Sequence, residues 1–193
     1  MTYTRAAVER AMAAAKQAGG RTMDAALLIA RLVVGLGLAA HGMQKLLGWF
    51  GGYGLEGTGG FFEGIGFRPG LLFALAAGVG DVAGGLLTAT GLLGPIGPGV
   101  IITVMVVAIV AVHLPNGFFA QQNGYELALI YAVVAFVLAV AGPGTYSLDG
   151  LLGFSRLSQP AVAWIVTGVA VVMGLAIVAV RRVASAPVAT AER

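Results

Sequence analysis

DAALLIARLVVGLGLAAHGMQKLL, residues 24–47, is the stretch whose reading decides the fold. About 20 residues at 1.5 Å each cross a ~30 Å hydrocarbon core, and this run is longer than that. Its ionisable side chains are Asp24 at the start, then Arg31, His41 and Lys45. An ionised side chain at mid-membrane costs roughly 2.5–3.5 kcal/mol on insertion scales, so such residues pair, face a cavity, or do chemistry.

Four more runs of the same character follow, over residues 71–93, 98–114, 125–142 and 161–180. Their limits are turn and charge signals: Pro69-Gly70, Gly94-Pro95, Pro115-Asn116-Gly117, Gly142-Pro143-Gly144 and Arg181-Arg182. The runs are too long for barrel strands and lack their alternation, so each is expected to be a helix. The fold class is therefore all-α, a polytopic membrane protein. Gly35 with Ala39, Gly80 with Gly84, and Gly91 mark faces where backbones can approach closely.

Composition agrees. Of 193 residues, 59% are apolar and 10% charged, against about 25% charged in soluble domains. Mean hydropathy is +0.94. The net charge of +3 sits at the ends and in loops, with no basic stripe interleaved with aromatics, so nucleic acid is excluded as a partner. With no cysteine, the chain has no disulfide, thiolate ligand or thiol nucleophile of its own.

Flanking segments are read more simply. Residues 1–23 are a polar, amphipathic segment: Arg5 and Glu9 are spaced i,i+4, Gly19-Gly20 is expected to end a short helix, and Asp24 to cap the first span. This start does not read as a cleaved signal peptide, because the apolar run continues for a full span. Residues 154–181 hold the fifth span with its linker, and 182–193 read as a disordered tail. The Gly-rich stretch 48–70 has no preceding strand and no following acid of the kind a nucleotide fingerprint needs, so it reads as a re-entrant or interfacial loop with aromatics at headgroup level. Lys and Arg divide evenly between the two faces. The precedence of the first helix favours an N-inside orientation.

Depth counted from each span's start places the polar residues. Arg31 falls about 10 Å and Asp81 about 15 Å along their helices, which predicts a structural ion pair between them. His41, Lys45, His113 and Glu126 arrive at one membrane face and form the candidate catalytic cluster. Histidine exchanges protons near neutral pH, so a role in moving protons to or from a redox carrier follows. Each member also has a structural reading: Lys45 as an interface lysine, Glu126 as a first-turn carboxylate. A bis-histidine haem would need both imidazoles to point into one cavity, and a metal site using Glu126 and Glu63 lacks ligand-pair spacing on one helix, so no metal is assigned.

Five stretches in order resemble the DoxX family of small membrane proteins. They are RLVVGLGLAAHGMQK, GWFGGYGLEGTGGFF, DVAGGLLTATGLL, HLPNGFF followed by GYELAL, and GPGTYSLDGLLG, together spanning about residues 24–153. The resemblance implies a four-helix bundle in the bacterial plasma membrane and an oxidoreductase setting. Some relatives resemble the small subunit of thiosulfate:quinone oxidoreductase; others accompany superoxide dismutase and a sulfurtransferase in oxidative-stress complexes, and CatD-related membrane oxidoreductases belong to the group. Two departures stand out: Asp81 where relatives often carry Glu, and a fifth span outside the resemblance.

The expectation is thus a subunit of a membrane redox complex, linking a soluble donor to quinone. His41 and His113 would meet quinone oxygens, Lys45 and Arg68 would attract an anion, and Glu126 would fix a histidine tautomer. Its partners would be lipid and soluble redox enzymes, with homo-oligomers left open. Alternatives are a non-catalytic anchor for soluble redox enzymes and a small-solute transporter, the latter disfavoured by the lack of an internal repeat.

Overall fold

The computed structural model describes residues 5–154 and 156–181, and the proposed tail at 182–193 lies outside them. Seven α-helices follow in order: α1 Arg5–Leu47, α2 Gly54–Gly64, α3 Gly70–Thr90, α4 Ile96–Ala108, α5 Glu126–Ala141, α6 Leu148–Leu152 and α7 Pro160–Ala179. Among the described residues there is no strand, and the chain is an integral membrane protein of all-α class.

Four helical stretches are long and apolar enough to cross a membrane: Met12–Leu47, Gly70–Thr90, Ile96–Asn116 and Pro160–Ala179. The fourth span of the sequence reading, α5, has 16 residues. That is about 24 Å of helix, shorter than a ~30 Å core. It still joins the two ends of the bundle. Glu126 sits beside the turn after α4, and Thr145, just past its far end, donates to Asp24 Oδ1 at 3.0 Å.

The first helix is one rod of 43 residues and Gly19-Gly20 does not end it. Glycine costs a helix about 1 kcal/mol without forbidding it, and the Ala-rich flanks carry the helix through. Asp24 is accordingly a mid-helix residue tying down residue 145, not a cap. The Arg5–Glu9 pair forms at 3.1 Å on the exposed surface.

The α1–α3 contact is the most extensive in the molecule, and glycine permits it. A methyl group on Gly35 would lie 2.6 Å from Ala89 N, and one on Gly42 2.6 Å from Gly78 O. Backbones this close gain packing that lipid cannot compete for. Gly80 and Gly84, by contrast, face Val104 and Val100 of α4. A core of Val34, Leu38, Ile101, Ile102, Met105, Ala135 and Ala170 joins α1, α4, α5 and α7, and α3 packs against α1 and α4. α7 packs on α4, where Thr103 Oγ1 donates to Ala170 O at 3.1 Å.

The Gly-rich stretch contains a helix where a loop was expected. α2 buries Thr58, Gly59 and Phe62, and leaves Trp49, Phe50, Tyr53 and Phe61 around it exposed. Intrinsic propensity opposes a helix here. Packing on α3 overrides it, because a side chain on Gly59 would press on Leu71 Cα at 3.2 Å.

Candidate functional site

A cavity of about 480 Å³ opens where α1, α4 and α5 end on the α2 side of the bundle. His41, Gln44 and Lys45 come from α1, His113 from the end of α4, Asn123 from the following turn, and Tyr131 from α5. The remaining wall is largely apolar, with Leu38, Val104, Met105 and Phe50. Three of the four residues of the expected cluster thus share one cavity. Glu126 does not line it.

Glu126 acts one step back. Its Oε2 accepts from Ala120 N at 2.9 Å, bracing the 117–126 turn. That turn is also closed by Glu126 N donating to Phe118 O at 2.9 Å and Tyr125 N donating to Gly117 O at 3.1 Å. The expected contact of Glu126 with a histidine ring is replaced by a backbone one: His113 Nδ1 lies 2.8 Å from Asn123 O. A carbonyl only accepts, so His113 donates from Nδ1, and in the neutral ring Nε2 is the acceptor.

The same logic fixes His41. Gln44 Nε2 donates to Phe50 O at 3.2 Å, so Gln44 Oε1 is the atom 3.0 Å from His41 Nδ1. Nδ1 must donate, and in the neutral ring Nε2 is again the acceptor. Both neutral imidazoles therefore present an acceptor, and each gains a donor at Nε2 when protonated.

Lys45 supplies the charge. Its Nζ donates to Asp81 Oδ2 at 2.7 Å, with Asp81 fully buried and Lys45 19% exposed. Ammonium has three N–H groups, so two remain for the cavity. The Asp81 Oδ1 atom has no hydrogen-bond partner.

The expected Arg31–Asp81 pair is overturned. Gly35 faces Gly85 and Gly42 faces Gly78, which sets Ala39 level with Asp81 and Arg31 level with Ala89. Arg31 is then about 12 Å of helix rise from Asp81. It is buried at the opposite end of the bundle and donates through Nη2 to Tyr146 O, with its guanidinium against Gly91. Asp149 is braced there, accepting from Leu93 N at 2.9 Å and Gly94 N at 2.6 Å. Arg68 is exposed and outside the cavity. Glu63 is also elsewhere, accepting from Gly70 N at 3.1 Å. Among the described residues no three of His, Asp and Glu converge as metal ligands would.

Residues 26–114 match the DoxX family model. Over this stretch, which is just under half of the chain, the protein is similar to the DoxX family. The match takes in α1 from its first membrane residues through His113 and Leu114, so both histidines, Lys45 and Asp81 lie inside it. An uncharacterized protein of Haemophilus influenzae is 36% identical over 59 residues, covering 31% of this chain and 37% of that relative. The match therefore spans little more than a third of the relative's length. No solved structure matches. Gln44, Phe50, Asn123 and Tyr131 were not singled out from the sequence. Gln44 alone was within reach, being three residues after His41 on one helix face.

Proposed function

We propose that this DoxX-like protein is the membrane subunit of a redox complex and receives a quinone headgroup in the cavity at His41, Lys45 and His113. The observation that carries this is the pair of histidines lining one cavity, each engaged at Nδ1, beside a lysine held by a buried aspartate. The cavity volume lies in the ordinary range for small-ligand sites, and apolar walls with few polar groups suit a lipid-soluble ring.

When bound, such a ring supplies oxygens that change between acceptor and donor as it is reduced and oxidised. The chain's part is positional and protonic. Each Nε2 holds a proton or an empty acceptor, while the hydrogen bond at Nδ1 keeps the ring from rotating away. Lys45 donates to an oxygen on the cavity side and is oriented by Asp81. The chain has no cysteine to pass electrons itself, so this reading assigns the electrons to a soluble partner.

The test is purification in detergent, extraction of retained lipids and their absorption spectrum. Retained quinone that is lost in both His41→Ala and His113→Ala supports the reading. Stoichiometric recovery of soluble enzymes with no quinone would replace it by the anchor reading, and solute flux in proteoliposomes lacking partners by transport.

A further inference from the structure

Past Ala108 the fourth helix widens. Residues Ile109–His113 form a π-helical turn, followed by a 3-10 turn at Leu114–Asn116, and His113 is the last residue of the wide segment. Pro115 supplies the cause. In a regular helix its N–H would bond Ala111 O, but proline has none and its ring clashes with that carbonyl. Single π turns recur at functional sites, and this one ends on a cavity-lining histidine.

The carbonyl that Pro115 strands has another donor. Arg181, just past α7, gives Nη1–H to Ala111 O at 3.2 Å and Nε–H to Ile65 O beyond the end of α2. The neighbouring Val112 O accepts from Asn116 Nδ2 at 3.3 Å, and the same amide reaches Asn123 O, which also holds His113. Around Arg181 the packing is dense: Phe67, Ala74 and Ala111 are buried against Ile177 and Val178 of α7.

We propose that Arg181 is a positioning residue for His113, holding the π turn open from a helix outside the DoxX-matched region. The fifth span is then part of the site's machinery and not an appendage. This inference concerns the ligand-free protein and does not rest on quinone as the occupant.

With two histidines in the chain, the ¹⁵N-imidazole spectrum of detergent-solubilised protein resolves the site, His41→Ala giving the assignment. Arg181→Met is expected to shift or broaden the His113 Nδ1–H signal and leave that of His41 in place. Arg181→Lys, which keeps the charge and reaches one carbonyl at a time, is expected to give a smaller shift in the same direction. It decides the matter where the methionine variant yields no folded protein. Pro115→Ala returns an N–H to Ala111 O, so adding Arg181→Met to it should move His113 no further. An unmoved His113 signal in the arginine variants overturns the proposal. So does an equal disturbance of both histidines, or an undiminished shift in the Pro115→Ala background.

Discussion

Lys45 lies about 9 Å of helix rise nearer the membrane surface than Asp81, and its amine meets the aspartate carboxylate at 2.7 Å all the same. The contact works because side chains on a helix lean toward its N-terminus, which for α1 is inward. Lys45 therefore runs down into the bundle, the reverse of a lysine snorkelling to the headgroups. A long cation is spent on compensating a buried anion and still keeps donors free for the cavity.

From this pair comes the first prediction. Lys45→Met leaves Asp81 buried without a counter-charge, and such a loss costs about 3–5 kcal/mol. Combining it with Asp81→Leu should recover much of that stability, since apolar replacement of both partners is close to neutral. Thermal unfolding of the two singles and the double in detergent measures it. A double variant no more stable than the Lys45 single would show that the pair is not what holds the helices in register.

Gly91 is at the opposite end of the bundle and has two constraints on one atom. It ends α3 in the left-handed region at φ 64°, and a methyl group there would lie 2.7 Å from Ser147 Cβ and against the Arg31 guanidinium. The backbone term alone is roughly 1–2 kcal/mol for an L side chain. Gly91→Ala is expected to exceed that, whereas Gly153→Ala, at φ 74° with open space around it, should cost only the backbone term. Equal losses in the two variants, read by thermal unfolding, would mean that Arg31 yields freely.

Run length and composition made the membrane spans legible, because spanning demands a length that few other structures use. The level shared by His41, Lys45 and His113 was legible too, since it depends only on counting turns. Register was not. Counting depth from assumed helix starts misplaced Arg31 relative to Asp81, and only the close approaches of Gly35 to Gly85 and Gly42 to Gly78 set it. The α2 helix was hidden by its glycines, whose packing role depends on a neighbour, Leu71, that pattern alone does not reveal. Pro115 read as a stop signal; that it widens the helix ahead of it needed the coordinates.

Glu126 separates bracing from proton transfer. Glu126→Gln keeps an acceptor for Ala120 N, so the turn, the Asn123 carbonyl and His113 should remain in place, with ligand retention within about twofold of wild type. Glu126→Ala removes the acceptor and should weaken retention roughly tenfold, the effect of losing about 1.4 kcal/mol. Matching losses in both variants, measured by quinone retention on purification, would instead give the carboxylate a direct part in the chemistry.

The last prediction concerns sidedness. α1 rises to the α2 end, α3 returns, α4 rises again and α5 returns, so Tyr53 and Leu151 sit at opposite ends of the bundle. Both are well exposed, at 88% and 80%. The chain has no native cysteine, so Tyr53→Cys and Leu151→Cys each give one reporter. In intact cells an impermeant maleimide should label the residue-53 reporter and spare the residue-151 reporter until the membrane is opened. That expectation follows from the basic residues Arg5, Arg10, Lys16 and Arg21 ahead of the first span, which favour keeping their end in the cytoplasm. Labelling of residue 151 alone would invert the orientation and place the histidine cavity on the cytoplasmic side. Labelling of both from outside would break the alternation of helices on which the shared level of His41 and His113 depends.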